Sequence, residues 1–360
     1  MALELSVYKI VLKLESPVAL PTRRARLGYL GTPQHIPAAT LRGSVLTALY
    51  REGLVNEDFL KHEASHPSIV ASPAYPLVDG EESKPANPFI YQCKKCEGAP
   101  IFANESEAFY KILSSEEPEI PLECGRKHRA LRQLHPSPII RKGDGMVKEA
   151  CVKGFRYVAV NISRRRASAV KGVLYSYEAV VEPERFWATI SSLRELDLAG
   201  LQLLVGRGVS RGLGRVKVEK AQKIDLSKTV ESFAKTVNEP IILYAMSPLL
   251  DGAGLEWRSF PKMIDLNGLA SMFNINADGK LVLEKAYGRT TAFDAGWDMY
   301  NQNLRPRFEA KTPGTIVKAS LKDTSGNVGL LMAILRYWGS IALYNTMPIT
   351  GVNMLELVEV

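Results

Sequence analysis

A short stretch of this chain interleaves glycine with arginine, residues 205–214, which read VGRGVSRGLG. Glycine permits positive φ and lets the backbone turn sharply or approach a ligand closely. Arginine offers a planar fork of N–H donors that matches phosphate oxygens. The combination predicts a loop that binds the backbone of a polyanion, and RNA fits it best. The residues that would form this site are Gly206, Arg207, Gly208, Arg211, Gly212, Gly214 and Arg215.

Two nucleotide-binding motifs are excluded for this stretch. A Walker A motif would close with Gly-Lys-Ser/Thr, which the stretch lacks. A dinucleotide fingerprint would lead into a helix, whereas Val216 and Val218 alternate with polar residues as in a strand. The simpler structural alternative is a glycine-rich hairpin whose arginines are only solvated.

A second constellation has the spacing of a zinc-ribbon site. Cys93 and Cys96 form C-x2-C, and Cys124 and His128 form C-x3-H after 27 intervening residues. Zinc takes four sulfur or nitrogen ligands in a tetrahedron, and two short-spaced pairs supply them. The spacing predicts one structural zinc, with Cys151 as an alternative ligand to His128. A catalytic zinc fits less well because four protein ligands leave no open position, and free thiols in a loop are the plainer alternative.

Further basic residues lie outside the glycine-rich stretch. The segment SRRRASAVKG carries Arg164, Arg165, Arg166 and Lys171 between two predicted strands. The connection is long for a tight hairpin, so it is predicted to project as a basic finger, with a solvated charged loop as the alternative. Arg42 lies near the start of a predicted helix, where backbone N–H groups favour anions.

Composition bounds the class of protein. With 46% hydrophobic and 23% charged residues among 360, the chain is ordinary for a globular protein. A formal charge of +8 favours an anionic partner. The chain has no run of eighteen apolar residues and no signal-peptide pattern at its start, which argues against a membrane span. The four cysteines, two of them in CKKC, favour metal binding in a reducing cytoplasm over disulfides.

The hydrophobic patterns predict the elements that position these residues. Strands are expected at 5–14, 156–162, 173–181, 185–192 and from 215 onward, with helices at 37–53 and 195–205. This order matches the split βαβ, ferredoxin-like α+β pattern, an antiparallel sheet with both helices on one face. It is also the layout of an RRM, although the aromatic RNP1 pattern is missing. Domain 1–225 would carry an insertion at about 55–155 that holds the zinc ligands.

The remainder of the chain predicts a second domain. Residues 226–239 are expected to be a linker. Domain 240–360 would be a second, degenerate ferredoxin-like domain, with strands at 241–250, 280–294, 315–321 and 354–360 and a helix at 327–343.

Three segments resemble the core motifs of the CRISPR-associated RAMP superfamily. They are IPAATLRGSVLTALY (36–50), RRRASAVKGVLYSYEAVVEPERFWATI (164–190) and VGRGVSRGLGRVKV (205–218). With its insertion, the chain is similar to the RAMP subunit of type III-D effector complexes, in the Cas-five-like branch that caps the crRNA 5′ handle. The resemblance covers residues 5–225 well and the C-terminal third loosely. Ala38-Ala39 departs from the glycine and serine that the family motif usually carries there.

The resemblance implies a non-catalytic, crRNA-binding subunit of a type III complex in antiviral defence. Its implied partners are crRNA, a large polymerase/cyclase-like subunit and RAMP backbone subunits. It places the RNA contacts on the glycine-arginine loop, on Arg42 and on Arg164–Arg166.

Other functions stay open at this point. A metal-independent CRISPR repeat endonuclease would need a general base, for which His35 with Arg42 or a lysine could serve. A subunit that cuts target RNA would need a loop Asp before the first helix, but the first Asp of the chain is Asp58. A zinc-ribbon interaction protein without RNA would not explain the glycine-arginine loop.

Overall fold

The fold is known from a computed structural model. It describes residues 5–20, 23–24, 29–31, 33–96, 101–142, 146–163, 165–166, 168–234, 240–251, 260–298, 303–305, 307–344 and 347–358. The helices in these ranges are α1 (Ala38–Arg51), α2 (Glu57–Ser65), α3 (Glu105–Leu113), α4 (Ser227–Ala234), α5 (Leu266–Met272) and α6 (Val328–Trp338), with a 3-10 turn at Val209–Arg211. None of these helices is long and apolar enough to cross a membrane.

The strands follow in chain order. The N-terminal two thirds contain β1 (Ser6–Leu14), β2 (Arg23–Arg24), β3 (Tyr29–Gly31), β4 (Ile69–Ala71), β5 (Tyr75–Val78), β6 (Glu81–Glu82), β7 (Lys84–Pro85), β8 (Ile90–Cys93), β9 (Ile101–Ala103), β10 (Leu131–Gln133), β11 (Pro138–Arg141), β12 (Val147–Glu149), β13 (Lys153–Ser163), β14 (Ser168–Glu182), β15 (Arg185–Ser192), β16 (Gln202–Leu204) and β17 (Arg215–Lys223). The last third contains β18 (Ile241–Ala245), β19 (Met263–Asp265), β20 (Ala277–Tyr287), β21 (Thr290–Asp294), β22 (Trp297–Asp298), β23 (Asn303–Leu304), β24 (Arg307–Lys311), β25 (Ile316–Gly326), β26 (Ala342–Tyr344), β27 (Met347–Ile349) and β28 (Leu355–Leu357).

The first sheet is antiparallel and is built around β1. Its order is β16-β17-β1-β15-β5-β6, and β4 also pairs with β15. Ile10 and Leu12 of β1 face α1 because side chains alternate along a strand, and α1 meets them with its apolar stripe of Leu41, Val45 and Leu49. The predicted strand 5–14 and the predicted helix that begins after Pro37 are confirmed.

The predicted helix at 195–205 is wrong. Gly200 has φ of 81° and breaks the segment, which then continues as β16 on the edge of the first sheet. Leu201, Leu203 and Val205 are buried at every second position, a strand period that the leucine-rich composition concealed. The first sheet therefore has no second helix where the sequence predicted one.

The predicted strands at 156–162 and 173–181 exist but lie elsewhere. As β13 and β14 they form a long hairpin in a separate sheet of order β13-β14-β3-β2. Both strands extend toward the turn, so the connection is short rather than the long loop that the sequence indicated. Their places in the first sheet are taken by β4 and β5, from the start of the predicted insertion.

Besides α2 and strands β4 to β6, the insertion contains two small sheets and α3. The sheet β10-β8-β9 carries Cys93, and α3 lies between β9 and β10 in the chain. The sheet β12-β11-β7 takes β7 from before this sheet in the chain and β11 and β12 from after it. These strands are too short to show a clear alternation of apolar and polar residues, so the sequence did not predict them.

The last third forms a second antiparallel sheet of order β19-β20-β25-β18-β28. Helix α6 is buried along most of its length. The predicted linker 226–239 is wrong over α4, whose Phe233 is buried in the same core. Gly329 allows the close packing of α4 on α6, since a Cβ there would lie 2.7 Å from the Val230 carbonyl oxygen. Residues 235–239 lie outside the described ranges.

The two halves share one apolar core. It joins Val7 and Trp187 of the first sheet to Trp338 of α6. Hydrogen bonds cross the same boundary, because the Tyr75 hydroxyl donates to the Met246 carbonyl at 2.6 Å and the Ser191 hydroxyl donates to the Tyr337 carbonyl at 2.7 Å. One face of the first sheet thus packs on α1, and part of the other packs on the C-terminal third.

Candidate nucleic-acid interface and metal centre

The glycine-arginine stretch is the connection of the β16–β17 hairpin. Its four glycines, at positions 206, 208, 212 and 214, have φ of 81°, 78°, 84° and 78°. Residues with a side chain adopt such values rarely and with strain, so the loop conformation depends on glycine at each position. The hairpin alternative of the sequence analysis is therefore correct about the architecture.

At two of the glycines, the loop backbone packs closely against other backbone atoms of the protein. A Cβ on Gly206 would lie 2.2 Å from the Ala19 carbonyl oxygen, and a Cβ on Gly214 would lie 2.3 Å from the Val205 carbonyl oxygen. Gly212 differs, because a Cβ there would meet no atom within 4 Å. Close approach to a ligand backbone, which the sequence assigned to the whole loop, is thus available at Gly212 and not at Gly206 or Gly214.

Residues 17–20 tie the loop to the β13–β14 hairpin, which the sequence did not reveal. The Arg207 N–H donates to the Ala19 carbonyl at 2.9 Å, and the Gly214 N–H donates to the Pro17 carbonyl at 2.9 Å. On the other side Val18 exchanges two backbone hydrogen bonds with Val180 of β14, at 2.8 and 3.0 Å. The two basic segments predicted from the sequence are thereby held by one shared strip of chain.

A small apolar cluster seals this junction. Ala19, Ala179 and Leu213 are buried together, and Tyr157 of β13 packs against them. Leu213 anchors the loop from within, so its arginines are left on the outside.

The loop arginines lie at the surface. Arg207, Arg211 and Arg215 are all exposed. The backbone N–H of Arg215 donates to the Ser16 hydroxyl at 2.9 Å, which fixes the loop where β17 begins. A rigid hairpin that presents three guanidinium groups to solvent can bind several phosphates at once.

The tip of the β13–β14 hairpin is basic and exposed. Arg165 and Arg166 lie in its turn with exposed side chains, Lys171 lies along β14, and Arg164 falls outside the described residues. The hairpin also exposes Phe155 on β13, which the sequence analysis did not single out.

Arg42 is not part of this surface, and its assignment to RNA is corrected. Its guanidinium is buried, with an ion pair of 2.6 Å to Glu63 of α2 and a 2.6 Å hydrogen bond from Nε to the Ile69 carbonyl. Glu63 is held in turn by the Ser68 N–H at 2.7 Å. A buried pair of this kind costs about 3–5 kcal/mol when one partner is removed, so Arg42 fastens α2 to α1 and is unavailable to a phosphate.

His35 lies in an apolar setting just before α1. Its ring is 5.6 Å from the ring of Tyr75, and Leu14, Val18 and Phe186 line the same small cavity. Burial lowers the pKa of His35 to about 4, so the imidazole is neutral near pH 7. The arginine that the endonuclease hypothesis paired with it, Arg42, is bound to Glu63 instead.

The cysteine-histidine cluster forms as predicted. The ligand atoms of Cys93, Cys96, Cys124 and His128 all lie within 4.8 Å of one another. The Cys96 and Cys124 sulfurs are 3.7 Å apart, and His128 Nδ1 lies 3.5 Å from Cys96 Sγ and 3.7 Å from Cys93 Sγ. A tetrahedral zinc with bonds of ~2.3 Å to sulfur and ~2.0 Å to nitrogen requires donor separations of about 3.5–3.8 Å. The donor set and its spacing therefore fit Zn²⁺.

Local backbone geometry presents these ligands. The Cys124 N–H donates to the His128 carbonyl at 3.0 Å, and the Lys127 N–H donates to the Cys124 carbonyl at 2.7 Å, which closes a tight turn. Lys127 itself has φ of 57°. Cys151 is exposed and outside the cluster, so the alternative ligand of the sequence analysis is not supported.

Comparisons with known proteins give distant structural likenesses. No protein-family model matches the chain, and no curated protein sequence does. A chain of the type III-B Cmr-beta complex bound to cognate target RNA and AMPPnP is similar, with 13% identity, 86% of each chain covered and a TM-score of 0.49. A chain of the Csm3–Csm4 subcomplex of a type III-A CRISPR-Cas interference complex has 11% identity, with 99% of this chain and 100% of that chain covered and a TM-score of 0.44.

A third similar structure is a CRISPR-associated protein Cas6. Its identity is 10%, with 99% of this chain and 100% of that chain covered and a TM-score of 0.36. All three structures come from CRISPR systems. At these identities and TM-scores the likenesses carry no weight for a particular activity, and the function is inferred from the site.

Proposed function

We propose that this protein is a non-catalytic RNA-binding subunit of a type III CRISPR ribonucleoprotein effector complex that holds the 5′ handle of crRNA. The observation that carries the proposal is the β16–β17 loop, whose four glycines all have positive φ and whose three arginines are all exposed. A loop of this kind has no enzymatic chemistry of its own, and its geometry suits a chain of phosphates.

Phosphate recognition follows from the donors that the loop presents. Arginine binds a phosphate through two parallel N–H donors, and it keeps its charge at any physiological pH. Residues 17–20 hold the base of the neighbouring hairpin beside the loop at Val180, and Arg165 and Arg166 lie at the other end of β14. At about 3.3 Å per residue the two basic segments are about 40 Å apart along that strand, so an RNA strand that contacts both must follow the hairpin.

The fold agrees with the RAMP resemblance. In the first sheet the strands β17, β1, β15 and β5 are neighbours in that order, and in the second sheet β28, β18, β25 and β20 are. When the four strands of each set are numbered in chain order, the fourth strand lies beside the first, and the first strand lies beside the third. We infer two split βαβ, ferredoxin-like units, and in the first unit β16 replaces the second helix.

The zinc would have a structural role in this subunit. Cys93, Cys96, Cys124 and His128 would hold it, and four protein ligands leave no position for a substrate. Bound metal would crosslink the small sheet of β8 to the turn at 124–128. The insertion then becomes a rigid surface that could contact neighbouring subunits, the large polymerase/cyclase-like subunit or the RAMP backbone.

The proposal is tested by the RNA that the assembled complex retains. Complex purified from cells that express the remaining effector subunits and a CRISPR array should contain crRNA with one uniform 5′ end. Complex with Arg207→Ala, Arg211→Ala and Arg215→Ala should retain several-fold less crRNA or carry ragged 5′ ends. Wild-type complex without crRNA, or a triple variant with the same crRNA and 5′ end as wild type, would overturn the proposal.

The alternative enzyme makes a different forecast. An endonuclease that uses His35 would cleave repeat RNA in the presence of a metal chelator, and His35→Ala would abolish cleavage while RNA binding stayed intact. We expect no cleavage by the wild-type protein. Chelator-resistant cleavage that disappears in His35→Ala would replace the proposed function.

A further inference from the structure

The strand register lines up three cations across the outer face of the first sheet. Lys217 of β17 lies directly opposite Lys13 of β1, and Lys13 lies directly opposite Arg185 of β15. Val216, Leu12 and Phe186, their neighbours along the strands, point to α1, so the three cations point the other way. Adjacent strands are about 4.8 Å apart, which makes this a compact transverse row.

One carboxylate, that of Glu219, is built into the row. The register of β1 with β17 slips at Glu219, and the extra residue reaches Arg185 with two hydrogen bonds of 2.7 and 3.0 Å. The pKa of the Glu219 carboxyl is lowered, first by the hydrogen bond from Arg185 and also by the charges of Lys13 and Lys220. Lys220 lies on the same face, opposite Val11. Three cations, those of Arg185, Lys13 and Lys220, thus act on one anion.

This arrangement is unfavourable for the sheet alone. Like charges directly opposite each other on neighbouring strands destabilise a sheet. Arg185 is neutralised by Glu219, whereas Lys13, Lys217 and Lys220 form no ion pair within 4.0 Å in the part of the chain that the structure describes. The part of the same face around Val7 and Trp187 is covered by the C-terminal third, whereas at the lysine end Lys220 is exposed and Lys13 and Lys217 are half-buried.

The row is continuous with the glycine-arginine loop. Arg215 is the first residue of β17, and Lys217 follows it two positions later on the same strand. Residues two apart on a strand point to the same face and are about 6.6 Å apart. A strand of RNA leaving the loop at Arg215 can therefore reach Lys217 and then Lys13. Glu15, whose backbone N–H donates to the Arg215 carbonyl at 2.9 Å, lies exposed at the start of this path.

We propose that Lys13, Lys217 and Lys220 form a second phosphate-binding surface that takes the RNA strand onward from the loop. The inference rests on the proposed function, since the same RNA would occupy both surfaces. Glu219 would keep Arg185 fixed and leave the three lysines to the phosphates.

The test compares variants of equal charge. Lys13→Gln, Lys217→Gln and Lys220→Gln are combined in one protein. A control combines Lys61→Gln, Lys111→Gln and Lys280→Gln, which lie on other elements and are each in a surface ion pair. Binding of fluorescent oligouridylate is titrated over a range of salt. Three lost phosphate contacts should reduce the slope of log K against log salt by about 2, at roughly 0.7 per contact, and the control should keep the wild-type slope.

The possible outcomes separate this inference from the proposed function. If the loop variant Arg207→Ala, Arg211→Ala, Arg215→Ala lowers the slope and the lysine variant matches the control, the lysine surface is wrong and the loop stands. If neither variant departs from the control, the proposed function falls as well. If the lysine variant binds oligouridylate like the control but loses another subunit during purification, the face contacts an acidic protein and the RNA inference is overturned. Thermal unfolding of the lysine variant should occur at or above the wild-type temperature, because opposed charges have been removed.

Discussion

At the scale of single residues, the four glycines of the β16–β17 loop all have positive φ but differ in the atoms that surround them. Gly214 must admit the Val205 carbonyl, whereas Gly212 faces open space. The sequence located all four positions, and it predicted that the loop would need them. It could not say which of them face the protein, because residues 17–20 are distant in the chain.

Substitution by alanine should distinguish the packing of Gly212 from that of Gly214. Gly212→Ala places a side chain at φ of 84° without a clash, which should cost about 1–2 kcal/mol. Gly214→Ala has the same strain and also a contact of 2.3 Å with backbone, so its loss of stability should be clearly larger. Urea unfolding of the two variants measures the difference, and equal losses would contradict the assigned packing.

Two histidines should make the stability depend on pH. Burial is the main cause that lowers the pKa of both His35 and His135 to about 4, from an ordinary value of 6.5. His135 Nε2 accepts from the Thr312 hydroxyl at 2.8 Å and from the Arg289 N–H at 3.2 Å, so a proton there would oppose a donor. The folded protein binds fewer protons than the unfolded chain, and stability is therefore lost as pH falls from about 6.5 to 4.

The expected size is at most about 3 kcal/mol for each histidine. Thermal unfolding between pH 7.5 and pH 4.5 should fall less steeply in His135→Gln and in His35→Asn than in wild type. His62→Gln, which changes an exposed histidine on α2, is the control and should keep the wild-type profile. Parallel profiles for all four proteins would show that neither His35 nor His135 governs the pH response.

At the scale of elements, the sequence was most informative where one periodicity dominated. β1 and α1 were predicted because their apolar positions recur at strand and helix spacing. The segment 195–205 was misread because its leucines satisfy both periods, and Gly200 decides between them. The pair β13 and β14 was found, but its sheet was not, since β3 pairs with β14 from far along the chain.

The cysteine-histidine cluster could be predicted from spacing alone because its residues come in two short pairs. Metal analysis should return about one zinc per chain, and Cys96→Ser should lose it. The matched control is Cys151→Ser, which changes an exposed cysteine outside the cluster and should keep the metal. Zinc retained by Cys96→Ser, or lost from Cys151→Ser, would require a different ligand set.

The structural effect of losing zinc should be confined to the insertion. The cluster lies beside β8 and β10 and contributes to a core of its own with Leu131. We expect Cys96→Ser to expose the segment 93–131 to protease while the first sheet stays folded. Cooperative unfolding of the whole chain on chelation would show instead that the insertion holds both halves together.

At the scale of the whole molecule, the two predicted domains share a core that the sequence could not show. Trp338 of α6 and Val7 of β1 belong to one apolar cluster, although they lie at opposite ends of the chain. The buried ion pair of Arg42 and Glu63 is a similar case, since no residue near Arg42 in the sequence indicates that Glu63 is its partner. Long-range pairings of this kind remove Arg42 from the basic surface, whereas Arg207, Arg211 and Arg215 stay exposed in the loop.

The most direct test of the central claim is the affinity of the loop variants for single-stranded RNA. Arg207→Ala, Arg211→Ala and Arg215→Ala are each titrated with fluorescent oligouridylate at low salt, beside the Lys61→Gln, Lys111→Gln, Lys280→Gln control. Each substitution removes a charge-assisted hydrogen bond worth about 1.5–3 kcal/mol before screening, so the Kd should rise about tenfold. The control should bind like wild type. Loop variants that also bind within about twofold of wild type would contradict the account, because the β16–β17 loop would then not be the site at which this protein holds RNA.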